Sequence, residues 1–239
     1  MEGPAAEEAY AERGIVPRAV EQLWDSVQSQ LQTSHDIKIT VVEIYNEELL
    51  DVLGFSNEGL SSADRKVCLM EHESTVELRN ATEVQITSKA QLSDIVEHVR
   101  MHRATASTVF NARSSRSHVV YRVDVRACGE EGAGQGRLNL IDLAGSETEE
   151  ETGGDDARRR EAACIKSSLV GLETVFLELA AGEYVPFRRS KLTLLLKNSL
   201  EGRGKVLFIV NISPRAEDIS ETMKSLHFAT SVSTCTPDC

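Results

Sequence analysis

The chain has 239 residues, 41% hydrophobic and 27% charged, the make-up of an ordinary globular domain large enough to bury a core of its own. Lys+Arg number 26 against 38 Asp+Glu, a formal net charge of −12. That excludes the broad basic field that general nucleic-acid binding needs, though it leaves room for a local basic patch. No apolar run approaches a membrane span, and the acidic opening MEGPAAEEAYAERG lacks the apolar core of a signal peptide. Cys68, Cys128, Cys164, Cys235 and Cys239 are scattered and form no CxxC pair, which reads as reduced thiols of an intracellular protein without a zinc site.

In chain order, Gly14–Arg18 (GIVPR) leads into a predicted helix. Pro17 suits a first helical turn, and Val20, Leu23, Trp24, Val27 and Leu31 recur at helical spacing. Ile37–Tyr45 (IKITVVEIY) is rich in β-branched residues and reads as a strand. A polar loop over Gly54–Lys66 precedes short strands near Val67–Met70, Val76–Leu78 and Glu83–Ile86. Ser88 with Gln91 makes a capping-box pattern that opens a helix to about Arg103. His118–Ala127 alternates apolar and polar residues as a half-buried strand does, and Arg137–Leu143 reads as a buried strand. Helices follow over Arg158–Ala181 and Ser190–Leu200, then the most hydrophobic strand, Lys205–Ile212 (KVLFIVNI), and a last helix over Glu217–Thr230. Interleaved strands and helices argue for a layered α/β sandwich.

Two segments carry chemistry. Asp142-Leu143-Ala144-Gly145-Ser146-Glu147 follows an apolar strand, where open α/β sheets bind ligands. An Asp there can hold Mg²⁺ through water, and a glycine three residues on lets a backbone N–H approach a phosphate. By itself this segment is equally an ordinary strand-to-turn exit. In Asn111-Ala112-Arg113-Ser114-Ser115-Arg116-Ser117-His118, consecutive hydroxyls and arginines before a strand suit phosphate and Mg²⁺ oxygens. Read alone it is better taken as a solvated Ser/Arg loop or a kinase target. A third feature is the basic stretch Arg188, Arg189, Lys191, Lys197, Arg203 and Lys205 around the leucines Leu192, Leu194, Leu195 and Leu196. Its plain alternative is a solvated amphipathic helix. No Asn-Lys-x-Asp guanine-reading motif and no Gly-x-Ser-x-Gly elbow occurs.

Taken together, the serine-rich segment, the strand and Asp-Leu-Ala-Gly-Ser-Glu resemble switch I and switch II of the kinesin motor domain. Five further segments fit that family in the same order: Gly14–Arg18, Val42–Leu53 (VEIYNEELLDVL), Arg103–Ala106 (RATA), Val185–Thr193 (VPFRRSKLT) and Ser220–Thr230 (SETMKSLHFAT). The closing stretch looks most like the C-terminal-motor, minus-end-directed kinesins. The resemblance implies a three-layer α/β sandwich, a central mixed sheet flanked by helices as in P-loop NTPases. It makes residues 1–230 a partial motor domain and 231–239 a short tail. It implies ATP and Mg²⁺ as cofactors and microtubules as partner in the cytoplasm and cytoskeleton. It points to homo- or heterodimers formed through regions outside this chain, with no nucleic acid and no membrane. By the same resemblance Asn111 lies at the nucleotide, and Ser114 and Ser115 contact Mg²⁺ and the γ-phosphate. Asp142 anchors the Mg²⁺-bound water, the N–H of Gly145 senses the γ-phosphate, and Arg116 pairs with Glu147 as the switches close. Arg188, Arg189, Lys191 and Lys197 face the acidic surface of tubulin.

The sequence departs from that pattern in three places. No Gly-x-x-x-x-Gly-Lys-Ser/Thr phosphate loop occurs in the 239 residues, and Met1-Glu2-Gly3 resembles the segment just after that loop. The expectation is an N-terminally truncated motor domain that binds ATP weakly or not at all by itself. With its first strands missing, it leaves apolar faces that need a partner. The loop after switch II, basic in kinesins, is acidic here from Glu147 to Asp156, and Arg158, Arg159 and Arg160 follow it. Ile165-Lys166-Ser167-Ser168-Leu169 stands where the family has Ile-Asn-Lys-Ser-Leu. A pseudo-motor that binds microtubules or a partner kinesin without turnover, and a fragment with no function of its own, are the alternative expectations.

Overall fold

The computed structural model describes residues 1–2, 13–29, 34–56, 65–73, 75–109, 115–128, 134–146, 156–201 and 204–233. The chain divides into two compact units. One comprises Met1–Tyr45, Leu49–Val67 and Asn80–Leu143, and the other Asn46–Glu48, Cys68–Arg79 and Ala144–Cys239.

The first unit is built on long antiparallel ladders. Strand β1 (Ser34–Tyr45) pairs with β6 (His118–Cys128) from Ser34 opposite Cys128 to Ile44 opposite His118, and β6 pairs with β7 (Gln135–Asp142) from Val119 opposite Asp142 to Arg126 opposite Gln135. On its other side β1 takes the short β5 (Val84–Gln85) and neighbours β2 (Glu48–Asp51), whose Leu49 and Leu50 pair with the opening of β3 (Lys66–His72). Every described ladder is antiparallel, inside the helix-flanked α/β architecture that the sequence led us to expect. The period of two along β1 and β6 sends Ile37, Ile39, Val41, Val119, Tyr121 and Val123 to one face. There they meet Val16 and Val20 of α1 (Ile15–Gln28) and Leu92, Val96 and Val99 of α2 (Lys89–Val109). Each fully buried aliphatic side chain contributes roughly 1.5–3 kcal/mol. The other face of β6 is also covered at its start, so His118–Val123 is buried without a break and alternation begins only beyond it.

Local signals set the boundaries of α2. Gln91 N–H donates to Ser88 Oγ at 3.2 Å, while the Gln91 amide oxygen accepts from Thr87 N–H at 2.9 Å, one residue earlier than a capping box would place it. Among the described residues no helix is long and apolar enough to cross a membrane.

The second unit packs α3 (Asp156–Ala181) against α4 (Lys191–Leu200) and α5 (Ile219–Ser233), with β4 (Thr75–Arg79) also against α4. Strands β3 and β4 form a hairpin from Cys68 opposite Arg79 to His72 opposite Thr75. Helix α3 ends where Gly182 adopts φ +68°. Gly182 N–H donates to Leu179 C=O and Glu183 N–H to Glu178 C=O, the paired bonds of a left-handed helix stop. Helix α4 starts at Ser190, whose hydroxyl accepts from Thr193 N–H at 3.1 Å while Thr193 Oγ1 accepts from Ser190 N–H at 3.2 Å. Glu47, in the turn after β1 with φ 59°, places Oε2 2.7 Å from Lys191 N–H, a carboxylate at the positive end of the helix.

The predicted strand Lys205–Ile212 is the one element that does not form. It pairs with no strand among the described residues. Around Phe208 its side chains alternate. Phe208 stacks edge-on against Phe176 of α3 and Phe228 of α5, with centroids 5.1 and 5.7 Å apart, while Leu207 and Ile209 point to solvent.

Candidate functional site at the end of β7

Asp142 is the last residue of β7, opposite Val119 of β6. Two positions before it, Leu140 and Leu138 pack on the core that α1 and α2 cover, so the strand period puts Asp142 on that same face. Arg103 of α2 reaches it there. Its Nη1 donates to Asp142 Oδ2 and also lies 3.3 Å from Glu2 Oε1. The phenol of Tyr121, in the middle of β6, donates to the same Glu2 Oε1 at 2.5 Å. Glu2 and Arg103 are about a tenth exposed (10% and 11%) and Asp142 a quarter (25%).

The charges here do not balance. Two carboxylates share one guanidinium, and the neighbouring ring groups add nothing positive. His118 is buried, which lowers its pKa to about 4 despite the pull of the Asp142 carboxylate in the other direction. Burial raises the Tyr121 phenol, and Glu2 beside it raises it further. Burial alone would lower the Arg103 pKa, but the Asp142 and Glu2 carboxylates outweigh it and hold the guanidinium above its ordinary value. Among the described residues, the side chains of Glu2, Arg103 and Asp142 together sum to one negative charge in largely buried surroundings, which favours a cation. Next to His118 in the chain, Ser117 Oγ is buried with no hydrogen-bond partner among the described residues. No cluster of three or more His, Cys, Asp and Glu able to hold a metal occurs among the described residues, so a cation here would need water and phosphate oxygens to complete its shell.

Of the residues expected at a nucleotide, Ser115 is exposed, Arg116 half-buried, and Gly145 half-buried three positions after Asp142 in the chain. Asn111, Ser114 and Glu147 lie outside the described residues, and with them the expected Arg116–Glu147 pair. Sequence reasoning missed Glu2 and Tyr121. No periodicity marks Glu2, and Tyr121 reads as a core residue of β6. Arg103 was legible only as part of the RATA segment.

The expected basic surface is built on α4 and the turn before it. Arg188, Arg189 and Lys191 are exposed. Lys197 is mostly enclosed, its Nζ 3.0 Å from Glu71 Oε1 of β3. Leu192, Leu195 and Leu196, read as a ridge framed by the basic residues, are buried and serve the core.

A sequence profile of the family described as kinesin motor domain matches residues 1–235. The chain belongs to the kinesin motor domain family. It is 39% identical over 230 residues to kinesin-like protein KIN-5B of Arabidopsis thaliana, covering 92% of this chain and 22% of that protein. It is 38% identical over 225 residues to kinesin-like protein KIF11-A of Xenopus laevis, covering 90% and 21%. Among solved structures it is similar to the C-terminal motor and motor homology domain of Kar3Vik1 fused to a synthetic heterodimeric coiled coil, with TM-score 0.79 and 32% identity, covering 92% of this chain and 57% of that one. It is also similar to the motor domain of the Saccharomyces cerevisiae kinesin-related protein Kar3, with TM-score 0.77 and 31% identity, covering 92% and 68%. This kinesin chain thus spans about a fifth of the length of the curated relatives it matches.

Proposed function

We propose that this chain is the switch-bearing and microtubule-facing part of an ATP-driven microtubule motor. The observation that carries the reading is the Glu2–Arg103–Asp142 cluster. It holds the Asp of Asp-Leu-Ala-Gly-Ser-Glu beside a second carboxylate, the two side chains sharing one guanidinium among the described residues. Mg²⁺ fits that arrangement better than a bare phosphate does. Ser115 and Asp142 would hold it, Asp142 through water, and Gly145 N–H would meet the terminal phosphate. When bound, Mg-ATP supplies the phosphoryl transfer whose two states the switches distinguish. Arg103 keeps the Asp142 carboxylate aimed, and Arg116 with Glu147 closes the pair of switches. Residues 1–230 act as a motor-domain segment on this reading, in a protein of the cytoplasmic and spindle microtubule cytoskeleton whose dimer contacts lie elsewhere.

The basic surface supports the microtubule half of the reading, because Arg188, Arg189 and Lys191 project from an otherwise acidic chain. The C-terminal-motor, minus-end-directed subfamily rests on residues 220–230 and on the Kar3 structures, while KIN-5 proteins dominate the curated relatives at 35–39% identity. A non-catalytic microtubule-binding role draws on a different observation, the lack of a Gly-x-x-x-x-Gly-Lys-Ser/Thr sequence in the 239 residues. One pair of measurements tests the proposal. Calorimetry of the chain with Mg-ATP is expected to give no micromolar binding, whereas pelleting with microtubules should be weak and salt-sensitive. Changing Arg188, Arg189 and Lys191 together to Ala should remove most of the pelleted fraction. An unchanged fraction in that triple variant would refute the proposed surface.

A further inference from the structure

Glu71 of β3 is a shared carboxylate. Its Oε2 accepts from Arg188 Nε at 2.8 Å and lies 2.6 Å from Arg188 Nη2, while its Oε1 accepts from Lys197 Nζ at 3.0 Å. The two cations sit in different surroundings. The Arg188 side chain is 78% exposed, against 23% for Glu71 and 14% for Lys197. Arg188 stands at the surface beside exposed Arg189, Lys191 and Tyr184. Lys197 is shut in by its own helix, whose next residue, Asn198, is bonded to both the N–H and the C=O of Val76 on β4 at 2.9 Å. A flat acidic surface approaching this face can meet Arg188 and cannot meet Lys197.

We propose that Glu71 is a built-in stand-in for the acidic partner. It holds Arg188 until the carboxylates of the microtubule surface take that guanidinium over, and Lys197 keeps Glu71 neutralised throughout. This rests on the microtubule-binding reading above. The charge count makes the exchange cheap. While Glu71 holds both cations the trio carries one positive charge, and once Arg188 turns outward the Glu71–Lys197 pair carries none, so no bare carboxylate is left behind. Both ends of the exchange are ion pairs near water, each of modest strength, so Glu71 lowers affinity without abolishing it. Lys197 thus acts through Glu71 and is a positioning residue, not a contact.

The test is co-sedimentation of the 239-residue chain with microtubules polymerised from purified tubulin, read as apparent Kd at fixed salt. Glu71→Gln should bind about two- to fivefold tighter, with Glu71→Ala moving the same way and circular dichroism unchanged. Lys197→Gln should weaken binding about twofold in the parent chain, because Glu71 then holds Arg188 unaided, and should have no effect when Glu71 is already Gln. Equal or weaker binding by both Glu71 variants would overturn the proposal while leaving the microtubule surface standing. Loss on Lys197→Gln in both backgrounds would make Lys197 a direct contact and overturn it too. If the parent chain does not pellet at all, the microtubule reading itself falls, and this inference falls with it.

Discussion

Residues His118–Cys128 and Lys205–Ile212 are two strongly apolar stretches of similar strand character, and the fold treats them differently. The first is laddered on both sides, by β1 and by β7, and its opening residues are buried on both faces. The second pairs with no strand among the described residues, and Leu207 is 83% and Ile209 59% exposed. In the second, Phe208 still turns toward Phe176 and Phe228 while its neighbours Leu207 and Ile209 face solvent. What separates them is the supply of neighbours. A strand is completed by its pairing partners, and propensity alone leaves its N–H and C=O groups to water. Strand β6 is therefore finished on both edges by the chain's own residues and carries β7 with Asp142 beside it, while the 205–212 segment presents apolar side chains and pairs with no strand among the described residues.

That contrast can be broken most forcefully at Arg103. Arg103→Ala leaves the Glu2 and Asp142 carboxylates without their shared cation in a mostly closed pocket. It should cost about 3 kcal/mol of unfolding free energy in urea, with Arg103→Lys recovering part of the loss. Next in size is a pH effect at the start of β6. Because burial lowers the His118 pKa to about 4 from an ordinary 6.5, the unfolded chain takes up this proton first as pH falls. The stability His118 contributes is intact above about pH 6.5 and is lost on the way down to pH 4. About 2 kcal/mol should go between pH 7 and pH 5, and a His118→Gln chain should lack that share of the pH dependence. Tyr121→Phe removes one donor from Glu2 but leaves Arg103 in place, and about 1.5 kcal/mol in urea unfolding is expected. The smallest change in stability belongs to the other region. Leu207→Lys with Ile209→Lys should move unfolding by less than about 0.5 kcal/mol while reducing self-association in sedimentation velocity, since both side chains are mostly exposed. A large stability loss there would mean that the segment is packed after all.

Much of the fold was legible because pattern and neighbours agree. The β-branched run at Ile37–Tyr45, the alternation in His118–Ala127 and the Ser190–Thr193 start of α4 all became the elements their chemistry predicts. Lys205–Ile212 was misjudged because hydrophobicity reports the wish for burial and says nothing about whether a partner strand is present. At the site, Asp142 was readable from its place after an apolar strand. Its partners were not, since Glu2, Arg103 and Tyr121 are brought together only by the register of β6 and β7 and the approach of α2. The same limit applies to Lys197. Counted by charge it belongs with Arg188 and Arg189, and only the position of Glu71 separates it from them.

The central claim is that β6 is laddered on both edges by the chain's own strands, while 205–212 finds no partner strand among the described residues. Hydrogen–deuterium exchange of the 239-residue chain, resolved by peptide, tests this most directly. The account predicts slow exchange across His118–Cys128, at the level of global unfolding, with Lys205–Ile212 exchanging within seconds at neutral pH. Protection of Lys205–Ile212 equal to that of β6 would contradict it.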